Sequence, residues 1–80
     1  MARYFFHFTN GETVRDRDGT DFPDLRSAQI EAAKLGGQML IDGAATFWGG
    51  DDWRLRIADK DDLTLFMLDF VGTSAPANPG

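Results

Sequence analysis

The sequence predicts an α+β fold of order β-β-α-β-β, a four-stranded, mainly antiparallel sheet with one helix packed on one face. Three observations point there. An aromatic run, Arg3-Tyr4-Phe5-Phe6-His7-Phe8, leads into Asn10-Gly11, the strongest short hairpin signal. An Ala-rich middle segment repeats its apolar residues at three- and four-residue steps. Two further apolar runs follow, separated by the polar turn Asp59-Lys60-Asp61-Asp62.

The first strand should cover residues 3–9. Alternation puts Tyr4, Phe6 and Phe8 on one face and Arg3, Phe5 and His7 on the other. The wholly aromatic set is the core candidate. A second strand is expected over 12–17, with Val14 as its apolar anchor and Asp18-Gly19 closing it. Phe22-Pro23-Asp24 reads as a helix start, because Asp24 can accept from free N–H groups and Pro23 lacks a donor. The helix should run over 24–42, with Leu25, Ala28, Ala32, Leu35 and Met39 as its apolar stripe. Gly36-Gly37 interrupts it at a cost of roughly 1 kcal/mol per glycine relative to alanine. Close approach of helix to sheet explains such a pair, and a kink is the alternative. Gly43 suits the helix end.

Residues 44–52 form a loop holding Phe47, Trp48 and a Gly49-Gly50 turn. The third strand, 53–59, points Trp53, Leu55 and Ile57 one way and Arg54 and Arg56 the other. The fourth, 63–71, is apolar almost throughout, as a central strand covered on both faces would be. Phe66, Leu68 and Phe70 should face inward, leaving Leu65, Met67 and Asp69 outward. Residues 1–71 then make a single domain, and 72–80, small and Pro-containing, a disordered tail.

Composition narrows the function. Eighty residues fit one domain. A chain of this size buries only roughly 60% of its unfolded surface, so its seven Phe, two Trp and one Tyr matter for the core. With no Cys, neither a disulfide nor a thiolate zinc site can form. A net charge of −5 repels phosphate backbones and argues against a nucleic-acid partner. No apolar run is long enough to span a bilayer, and no signal-peptide pattern precedes the first strand, so a cytoplasmic location is expected.

The opening Arg3-Tyr4-Phe5-Phe6-His7, the run Asp18-Gly19-Thr20-Asp21-Phe22-Pro23-Asp24-Leu25 into an Ala-rich helix, and Trp53 followed by a hairpin together resemble a small bacterial domain family of unknown function. That family typically opens with Pro-Arg-Tyr-Phe-Phe-His. The resemblance spans residues 2 to about 71. It departs at Ala2, where Pro is usual, and at the turn 59–62, which lacks the usual Gly. It implies domain bounds and no activity. Phe22-Pro23-Asp24-Leu25 before a helix also resembles HicB-type antitoxins, although Arg26-Ser27 stand where Pro-Gly usually follows.

Catalytic equipment is sparse. His7 is the only histidine, and a general base or metal ligand there would be the enzymatic reading. The only serines are Ser27, in the helix, and Ser74, in the tail, so no nucleophile–base set assembles. A strand histidine on the outer sheet face is the plainer reading. Asp16, Asp18, Asp21 and Asp24 surround Gly19. A calcium loop of the EF-hand kind needs an oxygen ligand first, Gly sixth and Glu twelfth. With Gly19 sixth, Val14 and Leu25 fall at the ends, and both fail. These acids, like Asp59, Asp61 and Asp62, read as turn and cap residues. No cofactor or metal site is expected, and no enzyme.

The candidate contact surface is the sheet face away from the helix: Arg3, Phe5, His7, Arg54, Arg56, Leu65 and Met67. A mixed basic and apolar face fits a protein contact, most simply a homodimer burying Phe5, Leu65 and Met67. Aromatics stacking on RNA bases are the alternative, without the motifs of sheet-type RNA binders. Phe47 and Trp48 are a candidate loop anchor for a partner, or else a cap over the open end of the core. The function expected is a binding or accessory module acting through protein–protein contact, with an antitoxin-like or nucleic-acid-linked regulator, and a metal protein or enzyme centred on His7, as alternatives.

Overall fold

The computed structural model describes residues 2–48 and 52–73. The chain begins with β1 (Ala2–Thr9), whose aromatic residues favour extended backbone. After the turn at Asn10-Gly11, β2 (Thr13–Val14) pairs back with Phe8 and Thr9. The chain then leaves the sheet over residues 15–19 and rejoins it as β3 (Thr20–Phe22), which pairs with Ala2, Arg3 and Tyr4. Five residues therefore stand opposite three of β1, residues 5–7. In effect β2 and β3 are one edge strand with an excursion in its middle.

The sequence predicts one strand over 12–17, closed by Asp18-Gly19. That strand is shorter, and β3 is an additional strand. Asp18-Gly19 closes the excursion rather than the strand, and Val14 is exposed rather than an anchor. The apolar residue that seats this edge is Phe22, whose ring meets Tyr4 at 5.9 Å and Phe6 at 6.0 Å.

Helix α1 (Leu25–Asp42) starts where Asp24 accepts from the Ser27 N–H at 2.8 Å. It ends where the Gly43 N–H donates to Met39 O at 2.9 Å. Ala28, Ala32 and Gly36 are its fully covered residues, so the helix lies on the sheet through small side chains. A Cβ on Gly36 would sit 2.5 Å from Phe70 Cζ, whereas one on Gly37 would meet nothing within 4 Å. Of this pair, Gly36 is thus the close-approach glycine. Leu25, at the start of the predicted stripe, is exposed.

A short helix α2 (Ala44–Phe47) occupies part of the predicted loop, and the expected Gly49-Gly50 turn lies outside the described residues. β4 (Trp53–Ala58) and β5 (Thr64–Phe70) complete an antiparallel sheet of order β2-β1-β4-β5, with β3 alongside β2 on β1. The central strands are β1 and β4. β5, predicted to be central, is an edge strand. Its continuous apolar run misleads because Leu65 and Met67 face outward while Phe66, Leu68 and Phe70 pack toward the helix, as alternation predicts.

The core is Tyr4, Phe8, Ala28, Ala32, Trp53, Leu55 and Ile57. Leu55 and Ile57 are wholly buried, each stabilising the fold by about 1.5–3 kcal/mol. Trp53 takes Phe8 and Phe47 edge-on, at 5.5 and 5.3 Å. Among the described residues no helix is long and apolar enough to cross a membrane. The predicted tail lies outside the described residues from Ser74 onward.

Candidate functional site

Strand register lays out the face away from the helix as rows. His7, Arg56 and Met67 stand side by side across β1, β4 and β5. Thr9, Arg54 and Asp69 form the next row. Ile57 pairs with Phe66 and Ala58 with Thr64, so Leu65 is the extra residue of a β-bulge. The seven residues expected on this face therefore divide into two groups.

In the β1 group Phe5 and His7 are covered, while Arg3 stays exposed. Residues 15–19 cross over this group, and Gly19, at φ 72°, lies so close that a Cβ there would be 2.8 Å from Arg3 Cγ and 2.9 Å from the Phe5 ring. Phe5 is half-buried and His7 only 5% exposed. His7, read from the sequence as a strand histidine on the outer sheet face, lies on that face beneath the excursion. Arg3 pairs with Asp21 at 3.2 Å and donates to Asp18 O at 2.6 Å.

Asp16 holds the excursion down. Its Oδ2 accepts from Phe6 N at 3.2 Å, filling the ladder position that the excursion leaves empty. Its Oδ1 accepts from Asp18 N and Gly19 N at 3.2 and 3.0 Å. Burial would raise this carboxyl, but the N–H groups of Gly19, Phe6 and Asp18 outweigh it and hold it below the ordinary carboxylate range. The Asp16 N–H in turn donates to His7 Nδ1 at 3.1 Å.

That bond assigns the tautomer. Nδ1 accepts, so the proton of neutral His7 is on Nε2. Burial, then the charges of Arg56 and Arg15, push the imidazole below its ordinary value, while Asp62 and Asp16 oppose them. Nε2 faces Asp62 Oδ1 at 3.7 Å across a cleft of about 360 Å³ lined also by Phe5, Arg15, Asp16 and Lys60. The neutral ring thus presents a donor to the cleft, not a lone pair, and neither a base nor a metal ligand is offered in this tautomer. Asp62 Oδ1 also takes Arg56 at 2.9 Å and Arg15 at 3.5 Å. The Arg56 hydrogen bond, against a smaller opposing effect of burial, depresses the Asp62 carboxyl.

Asp59 and Asp24 are committed to the fold in the same way. Asp59 Oδ1 accepts from Asp61 N and Leu63 N, at 2.8 and 3.0 Å. Asp24 caps α1. Among the described residues no group of three or more acidic or histidine side chains is placed to hold a metal ion.

The β4–β5 group is open, but its charges are paired. Arg54 Nε bonds Asp69 Oδ1 at 2.5 Å, and Arg56 also donates to Thr64 Oγ1 at 3.0 Å. What remains is apolar. Leu65 is 38% and Met67 47% exposed, and the flanking Leu63 and Val71 are 64% and 75% exposed. Four of the nine large apolar side chains exposed among the described residues fall within 63–71. The outer edge of β5 has no strand paired to it among the described residues. Phe47 turns inward onto Trp53, as a cap on the core would. Trp48 stays exposed and its ring lies against Gly72.

Sequence reasoning missed Arg15, Asp16 and Asp62 as a connected group. The Asp16-Arg17-Asp18-Gly19 turn pattern was the available signal for the first half of it. No match was found among curated proteins or among solved structures. A family model described as a domain of unknown function, DUF6894, matches residues 3–71. By that match, which takes in both helices and all of the strands but the first residue of β1, the chain belongs to the DUF6894 family of domains of unknown function.

Proposed function

We propose that this domain is a non-enzymatic binding module that works through protein contact at the edge of β5, with a second copy of the same chain as its partner. The observation that carries the reading is the β5 edge itself. It is seven residues long, has no Pro or Lys, carries apolar side chains on both faces, and is flanked by the exposed Leu63 and Val71. Edges of that kind pair with other strands unless something blunts them. Here only the bulge at Leu65 and the already neutralised Asp69 stand in the way.

An antiparallel edge is complementary to itself under a two-fold axis. With that axis on Leu68, Phe66 faces the partner's Phe70 on the helix side of the sheet. Leu65 then faces the partner's Val71 on the other side. Each such cross-strand pair contributes about 0.2–1 kcal/mol beyond the strand hydrogen bonds. The paired states of Arg54 and Arg56 leave little free positive charge for a phosphate backbone, so the protein reading is preferred to nucleic acid.

Sedimentation equilibrium over a range of concentrations tests it. The wild-type chain should approach the mass of two chains, and Leu65→Lys, at an exposed bulge position, should stay monomeric with an unchanged circular dichroism spectrum. A wild-type monomer at every concentration, or a dimer indifferent to Leu65→Lys, overturns the reading. Salt-sensitive RNA or DNA binding lost in Arg54→Gln/Arg56→Gln would put the nucleic-acid alternative in its place.

A further inference from the structure

The excursion over 15–19 is held in part by a hydrogen bond that exists only while His7 is neutral, and we infer that it is an acid-released latch over Phe5 and His7 on the outer sheet face. The inference is independent of the β5 contact.

The latch has one critical contact. Asp16 N–H donates to His7 Nδ1 at 3.1 Å. Protonating the imidazole converts Nδ1 from acceptor to donor, so two N–H groups then point at each other. The new positive charge also sits beside Arg15, which travels on the excursion, and Arg56 on β4. Asp62, on the 59–62 turn, and Asp16 itself face the ring as anions. Asp62 can take the Nε2 proton donor in either state, so it does not restore the lost contact at Nδ1. Arg17 on the excursion, and Asp59 and Lys60 on the 59–62 turn, also line the cleft. The ring's burial and its two arginine neighbours set the release below the ordinary histidine range.

Release has a structural consequence. Asp16 is the acceptor for Phe6 N, Asp18 N and Gly19 N, so freeing its backbone loosens the whole excursion. Gly19 then lifts from Arg3 and the Phe5 ring, which it covers now. Phe5 and His7 then join the open β4–β5 half of the face. A neutral-pH surface of Leu65 and Met67 becomes a wider one that includes Phe5.

The test is a pH series from 8 to 5 on the full chain, following the His7 ring and the backbone amides together by NMR. The ring should titrate below about pH 6.5. In the same transition the amides of Phe6, Asp16, Asp18 and Gly19 should shift and lose at least roughly tenfold of their exchange protection, a loss in equilibrium protection of about 1.4 kcal/mol. His7→Asn places a carbonyl oxygen near the Nδ1 position and cannot be protonated there, so its excursion should stay protected throughout. A ring that titrates while those amides keep their protection overturns the inference. So does the same amide transition in His7→Asn. If that variant does not fold, the wild-type ring and amide curves decide alone, since the latch requires their midpoints to coincide.

Discussion

Two adjacent glycines in α1 offer a comparison in which the helix term cancels. Replacing either Gly36 or Gly37 with alanine should gain about 0.8–1.0 kcal/mol from helix propensity. Gly37 has nothing within 4 Å of an added Cβ, so Gly37→Ala should keep that gain. At Gly36 the same methyl would lie 2.5 Å from Phe70 Cζ and 3.2 Å from Cε1. Carbon atoms prefer about 3.5–4.0 Å, so the ring tip must retreat by about 1 Å. Phe70 is half-buried on an edge strand and can move, which keeps the cost within the range of about 1–3 kcal/mol for overpacking. Subtracting the propensity gain, Gly36→Ala should be neutral to about 2 kcal/mol destabilising. The difference between the variants, about 1–3 kcal/mol, isolates the contact with Phe70. Urea unfolding of both chains measures it. A thermal scan should separate them by about 4–8 °C per kcal/mol. In a Phe70→Leu background the gap should close. Equal stabilisation by both alanines in the wild-type background would refute the seating of α1 on β5 through Gly36.

Asp16→Ala removes one acceptor from three backbone N–H groups, and should cost about 2–4 kcal/mol in urea unfolding, because Phe6 N is left without its ladder partner. Stability should also depend on pH in a defined direction. His7 is depressed in the fold, so its contribution is complete above about pH 6.5 and is lost as pH falls toward the folded value, with a slope of at most about 1.4 kcal/mol per pH unit. Asp16 is depressed too, and its contribution is lost only in the more acid carboxylate range, giving a second decline there. Guanidinium melts at pH 8, 6.5, 5 and 3 should show both declines, and a stability that rises on acidification would contradict the assignment. Neutralising its neighbours should move the His7 ring titration in opposite directions, lower in Asp62→Asn and higher in Arg56→Gln, as read by NMR.

Much of the fold was legible because local signals agreed with one another. Asp24 caps α1 as its chemistry predicts, Gly43 ends it at φ −110° against Trp53 rather than in the left-handed cap conformation, and alternation assigned the faces of β1, β4 and β5 correctly. β3 was not legible. Thr20-Asp21-Phe22 is too short to carry a period, and Asp18-Gly19 is as good a strand terminator as it is a bulge turn. The central-or-edge position of β5 was also hidden, since Leu65 and Met67 give the same apolar run whether covered by the fold or by a partner. At the site, alternation placed His7 on the outer face but could not show what crosses over it. The cover depends on β2 and β3 sharing one edge of β1 with residues to spare between them. That is a fact of pairing register, and no local residue pattern encodes it.

The β5 edge is the centre of the functional reading, and amide hydrogen exchange along Thr64–Phe70 examines it strand position by strand position. Exchange is followed at a dilute and at a high protein concentration. If β5 pairs with a second copy, the alternate amides that face away from β4 gain protection as concentration rises, while those bonded to β4 stay as they were. Outward amides that exchange at the same fast rate at every concentration would contradict the account.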